Sequence, residues 1–251
     1  MSFLKAEWRK LVMVNYEVNP EVLKGYIPKG TELDFYENKC YISVVGFMFL
    51  NTKLLGVKIP FHVNFEEVNL RFYVKREGKR GVVFIKEIVP KPAITLVANT
   101  IYKENYQTLP MKHSWVEKDN KLKISYQWKI NKKWNSISVE SLSKSIAIEP
   151  NTEIEFIAEH YWGYAKSESK TTEYEVKHPT WSYYLVTDYK IDVDFSATYG
   201  AHFSFLQSQK PSSVFLLEGS EISVENKTVL RTERVLKKIS RDKTISTYLL
   251  S

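Results

Sequence analysis

Cysteine, glycine and long apolar runs are scarce in this 251-residue sequence, which has one cysteine and nine glycines. The lone Cys40 cannot form an internal disulfide, and this fits a reducing compartment. No run of apolar residues approaches the length of a membrane span. Near the N-terminus, Glu7, Arg9 and Lys10 interrupt the region where a secretory signal would be apolar. We therefore expect a cytoplasmic protein without a membrane partner.

Sequence motifs for metals, nucleotides and nucleophilic serines are also missing. The five histidines are widely dispersed and have no paired spacing, so we expect no metal site. The sequence has no G-x-S-x-G elbow, no P-loop and no dinucleotide-binding fingerprint. We therefore expect no cofactor.

The net charge of +7 raises the question of a nucleic-acid partner. The basic residues are interleaved with acidic residues, for example over 75–80, instead of forming a basic stripe. No segment matches a recognition helix, a zinc finger or the paired aromatic strands of an RNA-binding sheet. Charge runs of this kind are typical of hairpin tips and solvated edges, so nucleic acid is not an expected partner.

Strand patterns dominate what the sequence does contain. With 43% hydrophobic residues it can form a substantial core. Helix signals are few: a start at Asn19-Pro20-Glu21 and an amphipathic segment over about 150–160. We predict one mainly β (β-rich α+β) domain over residues 1–251, whose large sheet splits into a sandwich or closes into a barrel. The strand candidates are 42–50, 67–75, 81–89, 94–102, 121–129, 134–141, 172–177, 181–189, 213–217 and 228–237.

The segment 67–74 has the most informative pattern. Apolar residues alternate with Glu67, Asn69, Arg71 and Tyr73, which is the period-two signature of a strand. These four polar side chains differ in hydrogen-bonding capacity, whereas a wet strand face is usually filled with interchangeable residues. Glu67 and Arg71 lie about 13 Å apart along the strand, too far for a direct ion pair. Their partners are therefore solvent, a neighbouring strand or a ligand.

The segment 86–92 places Lys91 between two prolines, which end the strand and hold the backbone extended. A three-residue loop over 78–80 would pair Arg71 with Glu87 and Glu67 with Lys91, and this charge complementarity favours that register. We predict that these side chains and Asn69 share one face. Two alternatives stay open: Lys91 projects into water, or the charged pairs form a buried ladder that stabilises the sheet and binds nothing.

A third segment, His178-Pro179-Thr180-Trp181, places a histidine before a proline with a tryptophan nearby. His178 could act as an acid–base group in an aromatic pocket beside Trp181. The alternative is an ordered turn whose rings pack on the core.

The order of segments 42–47, 67–74, 81–84 and 176–181 resembles the YqjF-like family of uncharacterised conserved proteins. That family is grouped with the acetoacetate decarboxylase-like superfamily. The resemblance extends over roughly Leu11 to Val235. It implies a mostly antiparallel, barrel-like β fold with a few short helices and an interior cavity, but it implies no established activity.

The resemblance also bears on Lys91. Acetoacetate decarboxylases use a lysine that follows a proline as the Schiff-base nucleophile, and a second lysine directly after it lowers the amine pKa. Pro90-Lys91 resembles the first part of that motif, but Pro92 stands where the second lysine would be. Activation of Lys91 would then have to come from Lys86, Arg71 or desolvation.

These observations favour a protein that binds a small anionic or carbonyl metabolite inside a β-barrel. Arg71 would hold a carboxylate through paired donors. Glu67 would orient water or transfer protons, and Lys91 would form an imine or a second anion contact. The predicted catalytic residues are Lys91 and Glu67. The predicted ligand-binding residues are Asn69, Arg71, Tyr73, Lys86, Glu87, His178 and Trp181.

Two other functional classes stay open. The first is a lyase or decarboxylase that acts through a Schiff base on Lys91. The second is a structural or interaction protein without a ligand. A homo-oligomer is compatible with either class.

Overall fold

In the computed structural model, which describes residues 2–167 and 170–230, strands dominate. The α-helices are α1 (Pro92–Val97), α2 (Glu153–Ala158) and α3 (Phe195–Tyr199). The 3-10 helices cover Pro20–Leu23 and Ala201–Gln207, and a π-helical turn covers Ala98–Tyr102. The strands are β1 (Leu4–Glu17), β2 (Glu32–Leu33), β3 (Tyr41–Leu54), β4 (Phe65–Arg76), β5 (Lys79–Val89), β6 (Tyr106–Thr108), β7 (Met111–Lys118), β8 (Lys121–Ile130), β9 (Lys133–Ala147), β10 (Trp162–Ser167), β11 (Lys170–Lys177), β12 (Ser182–Asp192), β13 (Ser213–Val224) and β14 (Thr228–Leu230).

Part of this 14-stranded sheet closes on itself. The strands follow the order β11-β10-β5-β4-β3-β1-β13, and β13 also pairs with β11. The result is a ring of strands that encloses an interior, as in a barrel. Most neighbours are antiparallel, but β10 and β6 each run parallel to β5, so the sheet is mixed. The prediction of a mainly β, barrel-like sheet is confirmed.

The remaining strands form a second layer against the outside of the ring. The path continues from β13 through β12, β9, β8 and β7. The outward apolar side chains of β4, including Leu70 and Phe72, pack in the same core as Trp128 of β8. Gly46 permits the close approach, because a Cβ atom there would lie 2.9 Å from a side-chain carbon of Ile137 and of Tyr126.

A second apolar core fills part of the ring interior. It includes Phe47, Phe49 and Phe65 from β3 and β4 together with Phe156 and Ile157 from α2. The Phe156 ring contacts the Tyr41 and Tyr73 rings, so α2 lies across the end where β3 begins and β4 ends. The loop between β3 and β4 and the helix α1 lie at the opposite end.

Several expected elements differ from those observed. The strand predicted over 94–102 is wrong: Pro92 begins a helix there, because its fixed φ suits the first helical turn. Lys91 precedes it in the predicted extended conformation. The long first strand β1 was not predicted. Of the strand expected over 228–237, residues 228–230 form β14, and the rest lies outside the described residues.

Candidate functional site

The polar face of β4 points into the ring. Glu67, Asn69 and Arg71 are 2%, 1% and 7% exposed, and all three line a cavity of about 170 Å³. The side chains on the other face of β4 pack in the core between the two layers. The unusual polar pattern therefore belongs to a buried wall and not to a solvated face.

The predicted hairpin register is wrong. Arg76 pairs with Lys79 across a two-residue turn in which Glu77 and Gly78 both have positive φ, the geometry of a type I′ turn. A bulge in β5 then shifts the register, because Leu70 pairs with Lys86 whereas Arg71 pairs with Phe84. Glu87 consequently lies opposite Asn69 and faces the cavity. Lys91 lies beyond the end of the paired segment.

Glu67 is held by two donors. The Asn69 amide nitrogen Nδ2 donates to Oε1 at 3.0 Å, and the Tyr106 hydroxyl donates to Oε2 at 3.1 Å. Burial raises the pKa of Glu67 to about 7, although both hydrogen bonds and the Arg71 charge oppose that change. A carboxyl group with this pKa can give or take a proton near neutral pH.

Two further carboxyl groups face the same space. Glu104 accepts a hydrogen bond from the Tyr174 hydroxyl at 2.9 Å, and burial raises the pKa of its carboxyl group to about 7. Burial, followed by the charges of Glu104 and Glu67, raises the pKa of Glu87 well above its ordinary value. The three carboxyl groups therefore hold protons that isolated glutamates would release, since like charges resist joint ionisation.

Arg71 lines the same cavity and its charge acts on Glu67, but its own hydrogen bonds are incomplete. Its Nη2 atom donates to the Ile157 carbonyl oxygen at 3.4 Å. Within the described part of the chain, the buried Nε atom has no hydrogen-bond partner, and no carboxylate lies within salt-bridge distance of the guanidinium. Buried Asn69 Oδ1 and Glu87 Oε2 also lack partners there. Such atoms are costly to bury, so they indicate a place for a ligand or water.

His160 forms a polar contact at the same end of the cavity. Its Nε2 atom lies 3.3 Å from Asp34 Oδ2, which also accepts a 2.7 Å hydrogen bond from Arg80 Nε. Burial lowers the pKa of His160 to about 4, so the ring is neutral at pH 7. Donation from Nε2 to Asp34 leaves Nδ1 as an acceptor, and this buried atom has no partner among the described residues.

Aromatic side chains form the other part of the cavity wall. The Phe49 ring stacks on Phe65 at 4.7 Å, and Trp8 contacts Phe47 and Phe49 edge-on at 5.3 and 5.9 Å. The buried Trp8 Nε1 atom has no partner in the described residues, so this wall also contains an N–H donor. The wall continues to Ile59 of the β3–β4 loop and to residues of α1.

Three predicted site residues are placed elsewhere by the fold. Lys91 does not line the cavity. Its charge acts instead on Glu66, which lies on the outward face of β4. Burial raises the pKa of Glu66, whereas the His113 hydrogen bond and, less strongly, the Lys91 charge lower it. Lys86 points to the outer layer, where Nζ donates to the Thr198 carbonyl oxygen at 2.6 Å. Tyr73 is buried beside the cavity, and its hydroxyl lies 2.7 Å from Ser43 Oγ.

His178 and Trp181 stack on each other, with ring centroids 4.1 Å apart. Neither lines the cavity, but Trp181 contacts Trp8, which does. Burial lowers the pKa of His178 to about 4, with a smaller contribution from the Arg71 charge. The two residues therefore support the cavity wall from behind, and their predicted role in ligand binding stays a prediction.

Sequence reasoning missed most of the cavity wall, including Glu104, Tyr106, His160 and Tyr174. Glu104 and Tyr106 follow a segment that was predicted as a strand, so no face could be assigned to them. His160 and Tyr174 lie far along the chain, and the pairing of β10 with β5, the neighbour of β4, brings them to the site. The alternation of Tyr174 with polar neighbours in β11 was the available signal.

Metal binding has no support in this site. Among residues 2–167 and 170–230, no group of three or more histidine, cysteine, aspartate or glutamate side chains is arranged to hold an ion.

The helices of the described residues are all too short or too polar to span a lipid bilayer.

The ring of strands and its internal cavity define the acetoacetate decarboxylase-like fold. Acetoacetate decarboxylase from Legionella pneumophila superposes with a TM-score of 0.65 at 12% identity, over 91% of this chain and 87% of that chain. The enduracididine biosynthesis enzyme MppR complexed with pyruvate superposes with a TM-score of 0.67 at 12% identity, over 92% and 91%. At such identities the likeness shows the fold alone.

The chain belongs to the DUF2071 family of uncharacterized conserved proteins, which matches residues 5–221. The uncharacterized protein YqjF of Bacillus subtilis is 29% identical over 110 residues. That match covers 43% of this chain and 46% of the relative, so the chain spans about half the length of the curated relative that it matches. The resemblance inferred from the sequence is confirmed.

Proposed function

We propose that this protein reversibly binds a small metabolite that carries a carboxylate and a carbonyl or hydroxyl group. One observation carries the proposal: the Arg71 guanidinium is buried at the cavity wall, and its Nε atom has no partner in the described residues. A ligand carboxylate would accept hydrogen bonds from this guanidinium and neutralise its charge.

The neighbouring groups suit the rest of such a ligand. Glu67, with its pKa raised to about 7 by burial, is able to donate a proton to a ligand oxygen or to accept one from it. Asn69 Oδ1 and His160 Nδ1 provide acceptors for a ligand hydroxyl. The fold neighbour MppR was solved with pyruvate, which has both a carboxylate and a carbonyl group.

Titration calorimetry with pyruvate tests the proposal. Arg71→Gln replaces the guanidinium by a shorter, uncharged amide. We expect it to weaken binding about 30-fold, which corresponds to about 2 kcal/mol for a charged hydrogen-bonded contact. The matched control is Arg76→Gln at the other end of the same strand, where Arg76 lies outside the cavity and pairs with Glu77 and Glu173. This control should bind like wild type.

The folded state of each variant must be checked by thermal unfolding. Because Arg71 has no ion-pair partner in the described residues, we expect Arg71→Gln to be at least as stable as wild type without ligand. If Arg71→Gln unfolds the chain, Arg71 is a structural residue. If it stays folded and binds pyruvate like wild type, the proposed role of Arg71 is wrong.

Imine chemistry at Lys91 has less support than reversible binding. Among the described residues that line the cavity there is no lysine. Borohydride reduction in the presence of pyruvate should therefore produce no covalent adduct detectable by mass spectrometry. An adduct on Lys91 would instead favour the lyase alternative.

A cytoplasmic location, homo-oligomer formation and the absence of a nucleic-acid partner stay predictions from the sequence. A ligand-free structural role would be favoured if no carboxylate ligand raised the thermal stability of the folded protein.

A further inference from the structure

Large apolar side chains are exposed at the end of the ring where the β3–β4 loop and α1 lie. Phe61 of the loop is 87% exposed, and Leu96 of α1 is 66% exposed. We call the six side chains at this end the apolar patch: Leu55, Val57, Ile59, Phe61, Leu96 and Ile101. Exposed apolar clusters on a protein surface indicate contact with a partner or a membrane.

Direct contacts join the loop to the helical segment, so the apolar patch is one surface. The Leu55 backbone nitrogen donates to the Phe3 carbonyl oxygen at 2.9 Å. The Phe3 ring in turn contacts the ring of Tyr102, in the π-helical turn that follows α1, at 4.8 Å. Ile59 of the loop and Ala98 of that turn line the same cavity.

Two positions of the apolar patch have a backbone conformation that disfavours bulky residues. Leu55 and Phe61 have φ values of 48° and 64°, in the left-handed region that glycine and asparagine adopt more easily. Neither side chain gains burial within the chain, since both are more than half exposed. Strained backbone at exposed apolar residues therefore indicates a contact made outside the chain.

The charges around the apolar patch have one sign. The segments 52–63 and 91–103 contain four lysines and no acidic residue. Lys53 lies directly opposite Lys5 in the β1–β3 pair, an arrangement in which like charges destabilise the sheet. Neither of these two lysines forms an ion pair with a described residue. Lys227 adds another positive charge, because its Nζ atom donates to the Ile101 carbonyl oxygen.

These charges decide what kind of partner fits the apolar patch. A second copy of the chain would bring lysines against lysines. Residues 231–251, with six basic and two acidic residues, would also bring positive charge. A nucleic acid supplies negative charge but little apolar volume for leucine, valine and isoleucine side chains. An anionic phospholipid surface supplies both the charge and the apolar phase.

We propose that the apolar patch docks on a membrane that contains anionic phospholipids. Val57 and Phe61 enter the boundary between headgroups and acyl chains, while Lys53 and Lys58 lie at the level of the headgroups. Peripheral docking needs no membrane-spanning helix. The proposal replaces the sequence-based expectation of no membrane partner, and it does not depend on the proposed binding of a small metabolite.

Co-sedimentation of the full chain with phospholipid vesicles tests the proposal. We expect binding to phosphatidylcholine vesicles that contain about 30% phosphatidylserine, and at least tenfold weaker binding to phosphatidylcholine alone. Binding should weaken above about 0.1 M salt, because screening shortens the reach of the lysine charges. A wild-type chain that does not sediment with the anionic vesicles would overturn the proposal.

Substitution of Phe61 separates docking by the apolar patch from attraction by basic residues elsewhere. Phe61→Asn removes the ring and suits the left-handed backbone, so thermal unfolding should show a fold at least as stable as wild type. We expect vesicle binding to weaken at least tenfold, as for the loss of one buried large apolar side chain. Val57→Ser should act in the same direction. The matched control is Phe35→Asn, since Phe35 is 42% exposed at the opposite end of the ring, and it should bind like wild type.

A pair of lysine substitutions tests the charge. Each lysine near an anionic surface contributes about a factor of five, so Lys53→Gln combined with Lys58→Gln should weaken binding about 25-fold at low salt. The fold should tolerate this change, because Lys53 lies opposite Lys5. The matched control is Lys29→Gln combined with Lys39→Gln, two exposed lysines at the opposite end of the ring.

The remaining outcomes are also decisive. If Phe61→Asn binds anionic vesicles like wild type, charge alone carries the binding and the proposed docking surface is wrong. If wild type forms a dimer in analytical ultracentrifugation that Phe61→Asn dissociates, a second copy covers the patch and the membrane assignment is wrong. Phe61 does not line the cavity, so pyruvate binding should be unchanged in Phe61→Asn. Failure of pyruvate to bind wild type would affect the proposed function and not this proposal.

Discussion

At the scale of single residues, the acid–base state of Glu67 depends on groups from distant parts of the chain. Its hydrogen-bond donors are Asn69, two residues away, and Tyr106, which a different strand supplies. Glu87 and Glu104 add like charges to the same space and do not themselves lie next to Glu67 in sequence. Burial keeps Glu67 protonated until near neutral pH, although its two hydrogen-bond donors favour the ionised form.

Anion binding should therefore weaken as pH rises. Below pH 6 Glu67 and Glu104 are neutral, because burial raises the pKa of each to about 7, whereas above pH 8 both are charged and repel a carboxylate. We expect Kd for pyruvate to increase about tenfold between pH 6 and pH 8, which corresponds to roughly one pK unit of coupling.

Calorimetry at the two pH values checks this expectation. Glu67→Gln should reduce the pH dependence, since one of the two titrating groups is removed. The matched control is Glu66→Gln on the outward face of the same strand, where Glu66 pairs with His113. A Kd that stays constant, or falls, as pH rises would contradict the assignment.

At the scale of elements, two small irregularities shape the cavity. The bulge in β5 turns both Ile85 and Lys86 outward and brings Glu87 to the inside. In the neighbouring pair, Gly163 of β10 lies opposite Tyr174 of β11. A Cβ atom on Gly163 would be 2.1 Å from Cζ of Tyr174, so the tyrosine ring lies directly across the glycine.

Gly163→Ala should therefore displace Tyr174 and remove its hydrogen bond to Glu104. We expect the free energy of unfolding to fall by about 1–3 kcal/mol, the usual effect of overpacking a filled core. Urea denaturation measures this loss. Gly25→Ala is the control, because no atom lies within 4 Å of its added Cβ, and it should have little effect. Equal stability of the two variants would show that Tyr174 adjusts freely.

At the scale of the whole molecule, the two apolar cores have different roles. The core between the layers is closely packed, whereas the core inside the ring is interrupted by buried titratable groups. The pKa values of two of these groups shift in opposite directions. Burial raises the pKa of Glu67 to about 7 and lowers the pKa of His160 to about 4.

The signs of these shifts determine how stability depends on pH. The contribution of Glu67 is fully present below its ordinary pKa of 4.5 and is lost as pH rises through about 7. The contribution of His160 is present above its ordinary pKa of 6.5 and is lost as pH falls through about 4. As pH rises from 4.5 to 6.5, the free energy of unfolding therefore loses the contribution of Glu67 while it gains that of His160.

Glu67→Gln should show how much the ionised Glu67 carboxylate destabilises the folded protein at high pH. At about pH 3 we expect the variant and wild type to be similarly stable, because Glu67 is then protonated in both the folded and the unfolded state, below its ordinary pKa of 4.5. At pH 8 the variant should be more stable, by about 3 kcal/mol at most, since wild type then buries a charge. Denaturation at both pH values measures the difference. The exposed Glu117→Gln serves as control, and a variant no more stable at pH 8 would contradict the raised pKa.

The sequence alone predicted the features that depend on local patterns. Alternation at period two identified β4 and its polar face, and Gly78 marked the hairpin, although the turn is one residue shorter than the predicted loop over 78–80. The strand-rich pattern and the order of segments led to the fold and the family. Arg71, Asn69 and Glu67 were identified for the same reason, because three dissimilar polar side chains share one face of a strand.

Only the tertiary structure decided what those residues face. A one-residue bulge in β5 changes which side chains point inward, and no local pattern signals it. Lys91 lies outside the cavity because β5 ends before it and Pro92 begins a helix. Glu104 reaches the site through the pairing of β6 with β5, and His160 and Tyr174 reach it through the pairing of β10 with β5 and of β11 with β10. Sequence periodicity specifies faces within one strand, whereas pairing between distant strands decides which faces meet around a cavity.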